Sequence, residues 1–385
     1  MDLRYGPEHD EFRAGVREFL AQSWAKGADL AEFRRKAVAA GYLYRGIPKR
    51  FGGSEQASDI LKARIITEEF ARAKAPMEVK GNGVQMLVPT LLECGEEWQK
   101  EQFVPKTLTG EFRWAQGFSE PGAGSDLASL RTRAELRDGQ WVINGQKVWT
   151  SYAKECRYMF ALIRTEPSAP KHEGISYLLI DLDQPGIDIR PMKQINGGND
   201  FNEVFFTDAT TPEHCIVGRR GEGWKISKSL LKHERNMLGG IDRSDAMFAS
   251  LLKLAQRSTI EGECAIKVPW VRDRLAALKA ELEVQRYSMM IQLSRELNGE
   301  GGGVLQMMNK LVQSNFAAAV AELSNAIIGD ESLISPIGNP KPGNERWVNQ
   351  YMNSLAAAIA GGTSNIQRNI IAERGLGLPR EGEKP

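Results

Sequence analysis

The sequence predicts a multidomain α+β protein: a helical N-domain, a central antiparallel β domain and a C-terminal four-helix bundle. Three observations predict it. The 385 residues exceed what one typical core serves, so two or three domains are expected. Helical texture up to about residue 113 gives way, over 114–221, to glycine, proline and β-forming residues. From 222 to 385 long amphipathic segments return, separated by glycine-rich breaks.

Within 1–113, the run ILKARIITEEFARAKAP over 60–76 spaces its apolar residues as a helix does and stops before Pro76. The loop ahead of it carries the breakers Pro48, Gly52 and Gly53. Within 114–221, WVINGQKVWTS over 141–151 places Asn144-Gly145 between two β-rich runs, which predicts a hairpin turn there. Asp138-Gly139 is a second turn signal. Further strands are expected at 158–166, 175–182, 187–191 and 202–208, with no helix between them. That pattern predicts an antiparallel barrel or sandwich. Within 222–385, the segments 224–238, 272–293 and 304–328 predict long helices, followed by a Pro/Gly loop at about 329–344 and a last helix. No repeat of 20–50 residues is present.

Composition narrows the function classes. Charged residues make up 26% and the formal net charge is +1, so no nucleic-acid footprint is expected. The start, MDLRYGPEHDEFR, carries charges where a signal peptide needs an apolar run. No apolar stretch nears the roughly 18 residues of a membrane span. Cys94, Cys156, Cys215 and Cys264 are scattered, as are His9, His172, His214 and His233. No metal or dithiol spacing results, and free thiols in a reducing cytoplasm are expected.

The segment AQGFSEPGAGSDLASL over 115–130 carries the first chemistry. Gly117, Gly122 and Gly124 let backbone N–H groups approach a phosphate-bearing ligand, and Ser119 and Ser125 add hydroxyls. Read alone, a plain glycine-rich turn is the more frequent meaning. Two further strings follow in order: NGQKVWTS over 144–151 and GTSNIQRNIIAERGLG over 362–377. Together with SEPGAGSD over 119–126, they resemble the acyl-CoA dehydrogenase family from about residue 40 to the C-terminus. Within that family the pattern is similar to the large subunits of pimeloyl-CoA-type enzymes and to steroid-side-chain acyl-CoA dehydrogenases.

The resemblance implies FAD held between a β domain and a helical bundle, reaching into a neighbouring subunit. It further implies roles at matching positions. Gln116, Phe118 and Ser119 line the flavin and acyl pocket, and Ser125 lies near the FAD pyrophosphate and the CoA. Trp149, Thr150 and Ser151 cover one flavin face, while Thr363 and Asn365 touch the dinucleotide. Without its flanking motif, Trp149 would read as a core aromatic on a strand.

The chemistry needs a base for the α-proton, a hydride acceptor and donors for an enolate-like oxygen. The family's usual base is the glutamate of a Y-E-G-T-S string. Here Ala360-Gly361-Gly362-Thr363-Ser364 stands in its place, so Ala360 borders the substrate and Gly361 keeps only the backbone N–H that serves the oxyanion. Some members place the base in an L-x-x-E-R string on an earlier helix. LLKHERNMLGG over 230–240 matches, which makes Glu234 the candidate base and Arg235 a substrate-pocket residue. Taken alone, Glu-Arg on a helix is an ordinary solvated pair.

The family's two cross-subunit motifs, R-x-x-F-G and Q-x-x-G-G, are missing from 254–270 and 327–338. A homotetramer, or an α2β2 assembly with an unlike subunit, is therefore expected. The resemblance implies an acyl-CoA substrate, a bulky or branched one given Ala360 and Gly361, and an electron-transfer flavoprotein as acceptor. A flavin monooxygenase on the same fold, or a non-catalytic subunit of a heteromeric dehydrogenase, are the alternatives.

Overall fold

The computed structural model describes residues 6–228, 241–333 and 345–380. The chain divides into two compact units, one formed by 1–118, 130–188 and 204–230, the other by 119–129, 189–203 and 231–385.

The first unit begins with α1 (Pro7–Ser23), α2 (Leu30–Ala39) and α3 (Ile60–Ala73). Asp29 and Asp59 cap α2 and α3 by accepting from the N–H groups of Glu32 and Lys62. Val16, Leu20, Phe33, Ile66 and Phe70 are buried along these helices. Beside them Glu69, only 2% exposed, accepts hydrogen bonds from Arg13 at 2.8 Å, Arg17 at 2.9 Å and Arg72 at 2.7 Å. The helices α4 (Val88–Cys94) and α5 (Glu97–Thr109) lead to the sheet.

Eight strands make that sheet: β1 (Trp114–Gly117), β2 (Arg133–Arg137), β3 (Gln140–Ser151), β4 (Tyr158–Arg164), β5 (Ile175–Asp181), β6 (Ile187–Pro191), β7 (Phe201–Pro212) and β8 (Ile216–Val217). The order is β6-β7-β3-β2-β4-β5-β8, with β1 on β4. The sheet is mostly antiparallel, as expected, but β1 and β2 both pair parallel to β4.

One local expectation is corrected. Asn144-Gly145 is not a hairpin turn; it lies inside the single strand β3. The turn is at Asp138-Gly139, where φ of +49° and +73° gives the left-handed pair that a tight two-residue hairpin requires. Gly145 is glycine for another reason. Its φ is +145°, and a Cβ there would come within 2.6 Å of Thr132 Oγ1. Asn144 is taken up by Asp208, whose carboxylate accepts from the side-chain amide at 2.8 Å.

In the second unit, α6 (Ile241–Arg257), α7 (Pro269–Leu297), α8 (Gly303–Ile328) and α9 (Glu345–Ala357) form the predicted bundle. Each of the other three packs on α8. Leu251, Leu254, Leu275, Leu278, Phe316, Val320, Leu323 and Trp347 fill its core. The short β9 (Thr259–Ile260) and β10 (Glu263–Cys264) form a hairpin between α6 and α7. A final helix, α10 (Ser364–Ile370), follows the glycine pair 361–362.

Candidate active site

In the first unit the expected site residues converge on β1 and β3. Gly117 cannot carry a side chain, since a Cβ would meet Met159 Sδ at 2.4 Å; this close approach seats β1 on β4. Gln116 on β1 is half-buried, and Phe118 just beyond is buried at 5% exposure. The Phe118 ring stands edge-on to Phe160 and Tyr177, with centroids 6.0 and 6.2 Å away. Full burial pushes the Tyr177 phenol well above its ordinary pKa, so it stays neutral.

Lys147 of β3 was not singled out from the sequence, yet it organises this region. Its ammonium is fully buried and donates to the carbonyls of Leu162 at 2.7 Å and Phe118 at 3.2 Å. The signal was available: Trp141, Ile143 and Lys147 share the inward parity of one strand, and a lysine at such a position must be hydrogen-bonded.

After Lys147 the alternation of β3 slips. Val148 is also buried, Trp149 is 58% exposed, and Thr150 is buried again. Just past the slip, Trp149 has φ of +59°, uncommon for a bulky residue. Ser151 is half-buried, and Tyr152 repeats the left-handed conformation at φ +54° with 52% exposure. Trp149 and Tyr152 are thus two exposed aromatics on left-handed backbone three residues apart in sequence.

In the second unit, Ser119 is half-buried and Ser125 exposed. Their loop is closed by reciprocal backbone hydrogen bonds between Glu120 and Ala123, both 3.0 Å. A Cβ at Gly122 or Gly124 would meet nothing within 4 Å, and neither residue has positive φ. Neither packing nor conformation demands glycine there. The open space above the backbone fits a phosphate-bearing group of the kind the motif implies.

The departure at the usual base position is a structured turn in the same unit. Gly361 and Gly362 have φ of +65° and +99°. Ala360 before them is exposed. Thr363 caps α10, its hydroxyl accepting from Ile366 N–H at 3.3 Å, and the Asn365 amide oxygen accepts from Arg368 at 3.1 Å. The second overlooked cation is Lys310 of α8, 5% exposed, which donates to the Gly362 carbonyl at 2.7 Å. Glu234 and Arg235 lie outside the described residues.

Comparison with known proteins settles the family. The acyl-CoA dehydrogenase N-terminal, middle and C-terminal domain models match residues 6–111, 115–209 and 221–376. The acyl-CoA dehydrogenase IpdE1 of Mycobacterium tuberculosis is 39% identical over 97% of this chain and 99% of its own. The chain belongs to the acyl-CoA dehydrogenase family. This acyl-CoA dehydrogenase is also similar to two solved assemblies. One, the Tcur3481-Tcur3483 steroid ACAD, matches with TM-score 0.79 and 29% identity over 99% of this chain and 100% of that one. The other, the ChsE4-ChsE5 complex of Mycobacterium tuberculosis, matches with TM-score 0.78 and 28% identity over the same shares. Members of the family are flavoprotein oxidoreductases. Among the described residues, no helix is long and apolar enough to cross a membrane, and no group of three or more His, Cys, Asp or Glu could hold a metal ion.

Proposed function

We propose that this chain carries out the α,β-dehydrogenation of a bulky or branched acyl-CoA with non-covalent FAD, passing the electrons to an electron-transfer flavoprotein. The observation that carries the FAD reading is Trp149, exposed on left-handed backbone two residues beyond the buried Lys147. When bound, the flavin supplies the acceptor for the β-hydride. Trp149, Thr150 and Ser151, with Gln116, Phe118 and Ser119, would hold its ring system. Ser125, Thr363 and Asn365 would hold the dinucleotide and the CoA phosphates. The open backbone at Gly122 and Gly124 supports that assignment.

In this reading Glu234 takes the α-proton, because Gly361 has no side chain to do so, and Arg235 shapes the pocket around it. Desolvation beside an acyl chain would raise the carboxylate's pKa toward neutrality. The Gly361 N–H stays available as a donor to the thioester oxygen. Bulk in the acyl group is supported by the absence of two large side chains at Ala360 and Gly361, and by the likeness to a solved steroid ACAD. The absent cross-subunit motifs, and the two-component names of both solved neighbours, support an α2β2 assembly with an unlike subunit over a homotetramer. The three-domain division at 113/114 and 221/222 and a cytoplasmic location belong to the same proposal.

The test is the visible spectrum of the purified protein, alone and with candidate partner chains, followed by anaerobic titration with acyl-CoAs from butyryl to ring-bearing. Bound flavin that bleaches with the bulky thioesters is the expected result. A preparation that takes up no FAD in any combination would overturn the catalytic reading.

A further inference from the structure

The glycine pair at 361–362 raises a physical problem that its surroundings answer. Two consecutive glycines in the left-handed region, with φ of +65° and +99°, are the least self-determined backbone a chain can have. In the reading above, the Gly361 N–H must nevertheless point steadily at a developing oxyanion, since such donors work by being fixed in advance.

Side chains from two different helices hold the turn. Lys310 reaches from α8 to the Gly362 carbonyl at 2.7 Å, and Gln367 reaches back from α10 to the Gly361 carbonyl at 3.2 Å. Both are buried, at 5% and 1% exposure. The chain is also anchored on either side. Ala360 N–H donates to Ala356 at 2.9 Å, and Ser364 N–H donates to Ala358 at 3.0 Å. Gln367 leaves no slack either, because a Cβ at Gly362 would stand 2.6 Å from its Nε2.

A neutral donor would suffice to tie α8 to a loop. A buried ammonium costs far more to desolvate, and its charge-assisted bond is roughly twice as strong as a neutral one. That charge sits on the carbonyl of Gly362, the chain neighbour of Gly361, whose N–H serves the thioester oxygen in the reading above.

We propose that Lys310 is a positioning residue for the oxyanion donor: with Gln367 it locks the Gly361-Gly362 turn, doing by side-chain clamps what a glycine pair cannot do for itself. The proposal rests on the dehydrogenase reading above, and a thermodynamic measurement separates the two. Acetoacetyl-CoA deprotonates at its α-carbon to an enolate whose oxygen occupies the same donors, with no hydride transfer and no need of Glu234. The enolate absorbance of the FAD-loaded complex is titrated against pH in the parent, Lys310→Gln, Lys310→Arg and Gln367→Leu.

Lys310→Gln should raise the bound enolate's pKa by about one unit or more, or about 1.4 kcal/mol. FAD content and acetoacetyl-CoA affinity at low pH should stay near the parent's. Lys310→Arg should restore most of the shift. A purely structural lysine would lower folding stability and leave the pKa of the surviving complex unmoved, and that result overturns the proposal. If Lys310→Gln does not fold, Gln367→Leu releases the other carbonyl of the same turn and must move the pKa the same way; no movement again overturns it. A parent protein that binds FAD but no acetoacetyl-CoA defeats the dehydrogenase reading, and this proposal with it.

Discussion

Lys147 donates to the Phe118 carbonyl at 3.2 Å from a position with no solvent exposure, so one buried ammonium ties the middle of β3 to the residue that opens the SEPGAGSD loop. The bond spans 29 residues of chain within one unit, from β3 back to the end of β1. The second bond of Lys147, to Leu162 at 2.7 Å, fixes both to β4.

Replacing that ammonium should therefore cost stability before it costs chemistry. Lys147→Met keeps much of the volume but strands two buried carbonyls. About 2–3 kcal/mol of unfolding free energy should be lost, the scale of removing hydrogen bonds to a buried charge. Urea denaturation of the flavin-free protein measures it. A loss below about 0.5 kcal/mol, the level of an ordinary surface change, would show that these bonds do not hold the strands together.

Trp149 should behave in the opposite way. It is exposed and strained, so Trp149→Gly relieves left-handed backbone that costs a bulky residue about 1–2 kcal/mol. The flavin-free variant should melt at or above the parent's temperature while FAD retention falls at least about tenfold, the loss of roughly 1.4 kcal/mol of stacking. Unchanged FAD affinity in a spectroscopic titration counts against Trp149 as a flavin contact.

Gly122 and Gly124 offer a cleaner separation of folding from binding. Neither has a neighbour within 4 Å of a built Cβ, so Gly122→Ala and Gly124→Ala should fold with unchanged or slightly raised stability. Both should weaken binding of FAD or CoA, because the added methyl occupies space that a ligand uses. Equal affinities by calorimetry for parent and both variants would assign the glycines to no binding role.

The pH dependence of the helical N-terminal region should centre on Glu69. The hydrogen bond from Arg17, with those from Arg13 and Arg72, outweighs burial and lowers its pKa from 4.5 to about 2. A depressed carboxylate contributes stability that is fully present above the unfolded value and is lost as pH falls through the folded one. Glu69→Gln should thus be less stable than the parent at pH 7 and converge with it as pH drops from about 4.5 toward 2. Thermal melts across that range check it; a constant difference at every pH would show that the carboxylate's charge is not what matters.

Glu234→Gln should keep FAD and acyl-CoA binding while lowering turnover by roughly a hundredfold or more, the scale of a lost general base. Returning a carboxylate to the usual place has a structural cost, because Gly361 sits at φ +65°. Gly361→Glu should destabilise the protein by about 1–2 kcal/mol, and any recovery of activity in the Glu234→Gln background should be partial. Parent-level turnover by Glu234→Gln alone moves the base elsewhere or to a partner subunit.

The order of helices, sheet and bundle was legible in the sequence because it is written in periodicity. Runs such as 60–73 and 304–328 repeat their apolar residues at the helical period, and β4 and β5 are short apolar runs bounded by turn residues. The three motif strings, and the loss of the glutamate at Gly361, were equally visible, since residue identity alone defines them. What Asn144-Gly145 does was not. An Asn-Gly pair signals a turn by its own conformational freedom, but here Thr132, just before the paired strand β2, crowds the glycine, and Asp208 of β7 binds the asparagine. The two buried lysines escaped for the same reason: the carbonyls that Lys147 and Lys310 satisfy lie 15 to 52 residues away in the chain. Local pattern fixes which element a residue joins. Whether a buried ammonium or a left-handed glycine is tolerated depends on partners that only tertiary folding brings within 3 Å or so, the range in which a hydrogen bond repays desolvation.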